Sequence, residues 1–308
     1  MKRLFWVLVV LVVAGIVGGA VYESKMETKD AAAYPAPGKL VDVAGRKLHI
    51  WCAGQGSPTV IFEASGHRSS TEWEKLLPEV GQKHRACAYD RAGNGWSDPA
   101  AGDRSASDFV EELRGALTAS GEKPPYVLVG HSGGAVLARA YQAAHPDDVV
   151  GLVLVDGKTA SVLSRWPKVA AAERSNLQRG RWLAAVGLLR LANPLHLEGR
   201  EAALTYRPRT MIAAGQLVAA TSAILPSLPP MLSIPTVVLT HGRGGDWAGP
   251  GVIGPLDEAA IEYDWQAAQK ELAKGPKSSL VVADKSGTMI SAEQPELIVQ
   301  AIETVSKP

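Results

Sequence analysis

Residues 126–141 read YVLVGHSGGAVLARAY, and this stretch decides the fold. The apolar run 126–129 predicts a short buried strand, and the run 135–141 predicts a helix. Ser132 stands between them in a G-x-S-x-G pattern, which is typical of a sharp strand-to-helix turn that exposes a nucleophilic hydroxyl. The small flanking residues let the backbone turn without a side-chain clash. Ser132 is therefore the candidate nucleophile.

Apolar runs that predict strands alternate with helical patterns on both sides of this turn. The middle runs are continuously apolar, as expected for parallel strands that are covered on both faces. Alternation of this kind predicts an α/β chain with a mostly parallel sheet and helices on both faces. The strand candidates are residues 40–43, 47–52, 59–63, 85–89, 126–129, 149–155, 236–240 and 279–283.

The alternation stops over residues 158–233, which contain no convincing strand. Most of this segment has a helical, amphipathic pattern, and prolines cluster at its end. We therefore expect a helical cap inserted between two parts of one core, residues 37–157 and residues 234–308.

Composition excludes several classes of function. The 308 residues suffice for one large α/β domain with an insertion, and the formal net charge is only +1. This balance gives no sign of a nucleic-acid surface. The two cysteines are too few for a zinc site, and the histidines and carboxylates do not cluster, so we predict no metal and no cofactor.

The N-terminus predicts a link to a membrane. Lys2 and Arg3 precede an uncharged apolar run over residues 4–22, close to the roughly 20 residues that cross a bilayer. We expect residues 1–22 to be a single-pass anchor with the main domain on the extracytoplasmic side, and residues 23–36 to be a tether. A signal peptide cleaved after the small residues 18–20, giving a secreted or periplasmic protein, is the alternative.

Five segments in order carry a family resemblance. They are GQGSPTV at 54–60, YDRAGNGWSD at 89–98, the Ser132 turn, LVLVD at 152–156, and SGTMI at 286–290 before EQPEL at 293–297. The chain resembles the α/β-hydrolase fold superfamily, of the membrane-anchored, esterase-like kind. The resemblance implies an eight-stranded sheet and hydrolysis of a small ester-like or amide-like substrate. It also implies an oxyanion hole built from the N–H of Gly133 and an N–H in the loop around Gly66.

The chain departs from this family at its last loop, where the resemblance places the catalytic histidine but Thr288 stands instead. A threonine hydroxyl cannot accept and return a proton near neutral pH. Three explanations stay open: a natural pseudoenzyme that binds a ligand or acts as a scaffold, a deliberate substitution, or another histidine as base. His241, at the end of its strand, is the best substitute. His131 is expected to point away from Ser132, and His67 to orient a backbone group or a ligand.

The catalytic acid is also open. Asp246 follows the strand that ends near residue 240, the usual place for the family's acid, and is our preferred candidate. Asp156, at the end of the preceding strand, is the alternative. Asp90 and Arg91 are interpreted as an ion pair that holds a loop beside the pocket.

The resemblance also bears on the two cysteines. The α/β-hydrolase strand order places the strands of Cys52 and Cys87 side by side, so a disulfide is geometrically possible. Two separate buried thiols are the alternative.

Overall fold

The computed structural model describes residues 1–229, 233–245 and 257–307, and a twisted eight-stranded sheet lies at its centre. The strand order is β1-β2-β4-β3-β5-β6-β7-β8. β2 runs antiparallel to both of its neighbours, and all the other pairs are parallel. The strands are β1 (Lys39–Val43), β2 (Arg46–Ala53), β3 (Thr59–Glu63), β4 (Arg85–Tyr89), β5 (Tyr126–His131), β6 (Val149–Val155), β7 (Thr236–His241) and β8 (Ser278–Ala283).

Helices cover the sheet on both faces because the strand side chains alternate between two buried layers. Ile61 and Leu128 point into one layer, which is closed by α3 (Ala106–Ser120) and α4 (Gly133–Ala144). Their neighbours along the strands, such as Phe62 and Val129, point into the other layer, which is closed by α2 (Leu76–Val80) and α12 (Pro295–Val305). The predicted α/β fold is confirmed.

Helices fill the connection between β6 and β7. They are α5 (Ala160–Arg165), α6 (Pro167–Ala185), α7 (Leu188–Ala192), α8 (Gly199–Thr205) and α9 (Pro208–Ile224). We call these helices the cap. After β7 come α10 (Glu258–Leu272) and, beyond β8, the short α11 (Ile290–Glu293).

The N-terminal helix α1 spans Lys2–Ala33 without interruption. Its apolar part is exposed and has a mean hydropathy of 2.8, so α1 is long and apolar enough to cross a membrane. The segment Pro208–Ser227, which contains α9, passes the same test, but half of it is buried, as in a core helix. The segment predicted as a tether is helical up to Ala33, and its Glu23 and Asp30 are ion-paired with Arg190 of the cap.

A disulfide joins Cys52 to Cys87. The two residues lie directly opposite each other in the antiparallel pairing of β2 and β4. The sequence left open a disulfide or two separate thiols, and the structure contains the disulfide.

Candidate active site

Ser132 sits at a strained turn between β5 and α4, with φ 53° and ψ −113°. Such a backbone conformation costs about 1–3 kcal/mol in a non-glycine residue and persists only where the surroundings enforce it. The Ser132 N–H donates to the carbonyl of Val155 at 2.9 Å. A Cβ at Gly134 would lie 2.4 Å from the carbonyl oxygen of Glu63, and one at Gly130 would lie 2.5 Å from that of Gly134. Close packing of α4 against β5 and the end of β3 therefore requires these glycines.

The turn presents groups suited to a developing oxyanion. Gly133 is the first residue of α4, so its N–H has no acceptor within the helix and lies at the positive end of the helix dipole. The loop that follows β3 supplies a second set of N–H groups. The N–H of Ser65 donates to Glu72 at 2.8 Å, and that of Arg68 donates to the carbonyl of Ser65. Within the described residues, the N–H groups of Gly66 and His67 have no protein acceptor.

Arg91 fixes the shape of this loop. Its buried guanidinium donates to the carbonyls of residues 64, 65 and 66 at 2.7–2.9 Å. The amide of Asn94 donates to the carbonyl of Arg68 at 2.7 Å. The charge of Arg91 is balanced by Glu63 at 2.9 Å. The carbonyls of residues 64, 65, 66 and 68 are thus held by two side chains of the segment after β4.

The predicted pair of Asp90 with Arg91 is wrong, although both residues do hold loops. Asp90 bonds instead to the ring Nδ1 of His49 at 2.8 Å and accepts the N–H groups of Ser70 and Trp96. The two side chains diverge because each has a partner on a different strand.

Thr288 lies in the loop between the end of β8 and the start of α11, and it is half-buried. The neighbouring N–H of Gly287 donates to Glu293 at 3.0 Å. Within the described residues, the Thr288 hydroxyl has no hydrogen-bond partner. The place at which the resemblance implies an imidazole therefore holds a side chain that cannot exchange a proton near neutral pH.

His241 is the last residue of β7 and is completely buried between two carboxylates. Its Nδ1 lies 2.8 Å from both carboxylate oxygens of Asp156, and its Nε2 lies 3.0 Å from Glu262. Burial by itself lowers the pKa of His241, but the hydrogen bonds and charges of Asp156 and Glu262 outweigh it and raise the pKa to about 9. The ring is thus protonated at neutral pH and has no lone pair for a serine proton, which argues against His241 as the substitute base.

The same contacts determine the role of Asp156. It follows β6 directly, in a left-handed conformation with φ 48°, and it also accepts the indole N–H of Trp265 at 2.9 Å. Its carboxylate is therefore engaged by the end of β7 and by α10. The preferred acid, Asp246, lies outside the described residues.

His131 is linked through Glu72 to the loop of residues 65–68 that follows β3. Its Nδ1 hydrogen-bonds to Glu72, whose other oxygen accepts the N–H and hydroxyl of Ser65. Burial lowers the pKa of His131, but the Glu72 carboxylate outweighs it, so the net shift is upward. His67 behaves oppositely, because burial and then the charge of Arg68 lower its pKa to about 4. At that pKa His67 is neutral at pH 7 and a weak base.

All seven histidines lie within the described residues, and none hydrogen-bonds to the Ser132 hydroxyl. Ser132 itself is half-buried and has no described side chain within hydrogen-bond distance of its Oγ. Sequence reasoning missed Glu72 and Glu262, which engage His131 and His241. No motif marks either carboxylate, since each meets its histidine only through the tertiary fold.

Comparison of the sequence with known protein families identifies the family of this chain. Residues 53–301 match the profile described as "Alpha/beta hydrolase family". The chain therefore belongs to the alpha/beta hydrolase family, with Ser132 at the position of its strand-to-helix turn.

Individual relatives are matched over shorter stretches. The uncharacterized protein YbdG of Bacillus subtilis is 29% identical over 158 residues, which is 51% of this chain and 49% of that protein. A 2-hydroxymuconate semialdehyde hydrolase of a Pseudomonas species is 31% identical over 124 residues, 39% of this chain and 44% of that protein. The match thus spans about half or less of the length of these curated relatives.

A solved structure extends the likeness in fold to most of the chain. A thermophilic esterase from Thermogutta terrifontis superposes with a TM-score of 0.61, covering 87% of this chain and 98% of that chain. The identity between the two is 21%, so this likeness concerns the fold alone.

Proposed function

We propose that this chain is a serine-hydrolase-like protein that binds a small ester-like or amide-like molecule at Ser132 and turns it over slowly. The observation that supports the proposal is a contrast at the site: the turn at Ser132 and the loop at Gly66 offer N–H groups without a protein acceptor in the described structure, but Thr288 stands where the resemblance implies the base. Removing the base of a serine triad costs on the order of 10⁴- to 10⁶-fold in rate, while an oxyanion hole alone retains roughly 10³-fold over water.

The chemistry follows from the groups present. The Ser132 oxygen attacks the substrate carbonyl, and the charge that develops on the carbonyl oxygen is stabilised by the N–H of Gly133 and an N–H at Gly66 or His67. Without an imidazole, the serine proton must pass to water and the leaving group must depart unaided. Water must then hydrolyse the acyl-serine without a base, which regenerates Ser132 and releases the acid. We therefore expect activated esters, whose leaving groups need no proton, to react in preference to amides. Asp246 remains our proposed acid for a restored histidine, because Asp156 is bonded to His241.

The full-length chain in detergent, with p-nitrophenyl acetate as substrate, tests this proposal. We expect slow, steady release of p-nitrophenol that disappears in Ser132→Ala. The matched control is Ser164→Ala, which changes an exposed serine of the cap and should leave the rate unchanged. Equal rates in Ser132→Ala and the unmodified chain would show that the turn is not the reacting site.

A pseudoenzyme that binds its ligand without turnover is the second candidate. It is favoured by one observation: the imidazoles of His131 and His241 are both committed to carboxylates. Its signature would be saturable binding of a ketone analogue of the ester, together with no Ser132-dependent release of p-nitrophenol.

We further propose that α1 anchors the protein in a membrane, with the domain on the extracytoplasmic side. Lys2 and Arg3 at its start favour a cytoplasmic N-terminus, and the apolar run has no charged residue. The Cys52–Cys87 bridge is of a kind that persists in oxidising compartments outside the cytoplasm. Signal-peptide cleavage is the alternative, and the mass of the exported protein distinguishes the two.

A further inference from the structure

Exposed apolar side chains concentrate at one corner of the cap, where α6 ends and α7 follows. Trp182 is 63% exposed, and the leucines nearby in sequence are 43–65% exposed. Among the other described residues outside α1, large exposed apolar side chains are spread singly over separate elements, as on an ordinary soluble surface. We call this patch the α6–α7 corner; it consists of Trp182, Leu183, Leu188, Leu191 and Leu195.

The corner lies against the end of the apolar run in α1. A Cβ at Gly19 would be only 2.4 Å from the carbonyl oxygen of Val186, and one at Gly187 would be 2.6 Å from the ring of Tyr22. Gly19 and Tyr22 are the last turn of the run, and three residues of helix rise about 4.5 Å. The α6–α7 connection is therefore level with the point at which α1 would leave the hydrocarbon core.

Ion pairs hold α1 in this position. Arg190 of α7 donates to Glu23 at 2.8 and 3.1 Å and to Asp30 at 2.8 Å. Both carboxylates are buried in the contact, at 3% and 6% exposure. Because breaking a buried pair leaves an uncompensated charge, the cap and α1 should move as one body. The depth of α1 in a bilayer thus determines the depth of the corner.

The composition of the corner suits a membrane interface. The guanidinium of Arg181 lies 4.7 Å from the centre of the Trp182 ring. Tryptophan and arginine favour the headgroup level, where the ring is half-solvated and the charge meets lipid phosphates, while leucines enter the upper acyl region. An anionic surface would find the cation of Arg181 beside the corner, and residues 179–197 contain no acidic residue.

We propose that the α6–α7 corner is inserted in the headgroup and upper acyl region of the bilayer that α1 spans, so that the cap rests on the membrane. This rests on the anchoring proposed above. Its occupant is lipid, and docking of a second copy of the chain at the corner is an outcome that the test must exclude.

The experiment uses single cysteines in the full chain, whose two native cysteines are both in the disulfide. Leu191→Cys carries an environment-sensitive nitrobenzoxadiazole label, and the protein is placed in vesicles of phosphatidylcholine and phosphatidylglycerol. Tyr263→Cys, at a 76% exposed position of α10, is the matched water-facing control. Val12→Cys reports whether α1 inserts.

We expect lipids brominated near the headgroup to quench the label at residue 191 by roughly half and to leave that at residue 263 unchanged. Deeply brominated lipids should quench the label at residue 12. If residue 12 is quenched but residue 191 behaves like residue 263, α1 spans the bilayer and the corner does not touch it. If residue 12 is not quenched, the anchoring fails and this proposal fails with it. If the fluorescence of the label at residue 191 rises with protein concentration but is not quenched by brominated lipid, a second copy of the chain covers the corner instead, and the proposal is wrong.

Discussion

The candidate active site has two sides, which differ in the kind of group that each provides. On one side, the turn at Ser132 and the loop at Gly66 offer backbone N–H groups held by close packing and by Arg91. On the other side, the ends of β6 and β7 hold ionisable side chains that are bonded to one another, as His241 is to Asp156 and Glu262. The oxyanion half of the site is thus a property of the backbone, while proton transfer depends on single side chains.

The two sides also differ in what a change of residue would disturb. A side chain at Gly130 or Gly134 would collide with backbone, so any change there disturbs the packing of α4 against β5 and β3. Thr288 lies in a loop, half-buried and without a hydrogen-bond partner in the described structure. On our proposal, a change of residue at that position would therefore disturb the fold little and alter catalysis strongly.

The largest expected effect comes from Thr288→His. If the rest of the site is intact, kcat/KM for p-nitrophenyl acetate should rise by at least about 10², part of the 10⁴- to 10⁶-fold contribution of a triad base. Any gain beyond this depends on Asp246 as the acid that orients the new imidazole, because Asp156 is already bonded to His241. Steady-state kinetics measure the change.

Thr288→Asn is the control for that experiment, since it adds a polar side chain of similar reach without a base. A gain in Thr288→Asn equal to that in Thr288→His would mean that shape, not proton transfer, limits the reaction. If kcat/KM rises in neither variant, other residues of the site also fail to support catalysis.

The next largest effect is a loss of stability when Arg91, which holds the loop at Gly66, is removed. Arg91→Ala leaves the buried Glu63 without its cation and removes one donor from each of three loop carbonyls, so the free energy of unfolding should fall by about 3–5 kcal/mol. Urea denaturation measures this. Arg85→Ala, which breaks a more exposed pair with Glu122, should cost no more than about 1 kcal/mol. A similar loss of unfolding free energy in the two variants would contradict the role of Arg91 in holding the loop.

A smaller effect is the pH dependence of stability on the His241 side. The pKa of His241 is raised from 6.5 to about 9 on folding, so its contribution is complete below pH 6.5 and is lost as the pH rises through 9. We expect the free energy of unfolding to decline over this window. In His241→Gln this part of the decline should be missing, and an unchanged slope would disprove the protonated state of His241.

Much of the fold could be predicted because its signals are local. Continuous apolar runs marked the buried strands, and G-x-S-x-G marked the turn at Ser132. The carboxylate partners could not be predicted, since Glu262 reaches His241 from α10 and Glu72 reaches His131 from a turn after β3. The helical state of residues 23–33 was missed for the same reason: its polar residues are stabilised by Arg190, far away in sequence.

The most direct measurement is the rate at which a fluorophosphonate labels Ser132 as a function of pH, followed by mass spectrometry of the intact chain. With no imidazole acting on Ser132, the unmodified chain should label slowly and without an inflection near the pKa of a histidine, about 6.5. Thr288→His should label faster and acquire that inflection. An inflection already present in the unmodified chain, and lost in His241→Gln or His67→Gln, would contradict the account.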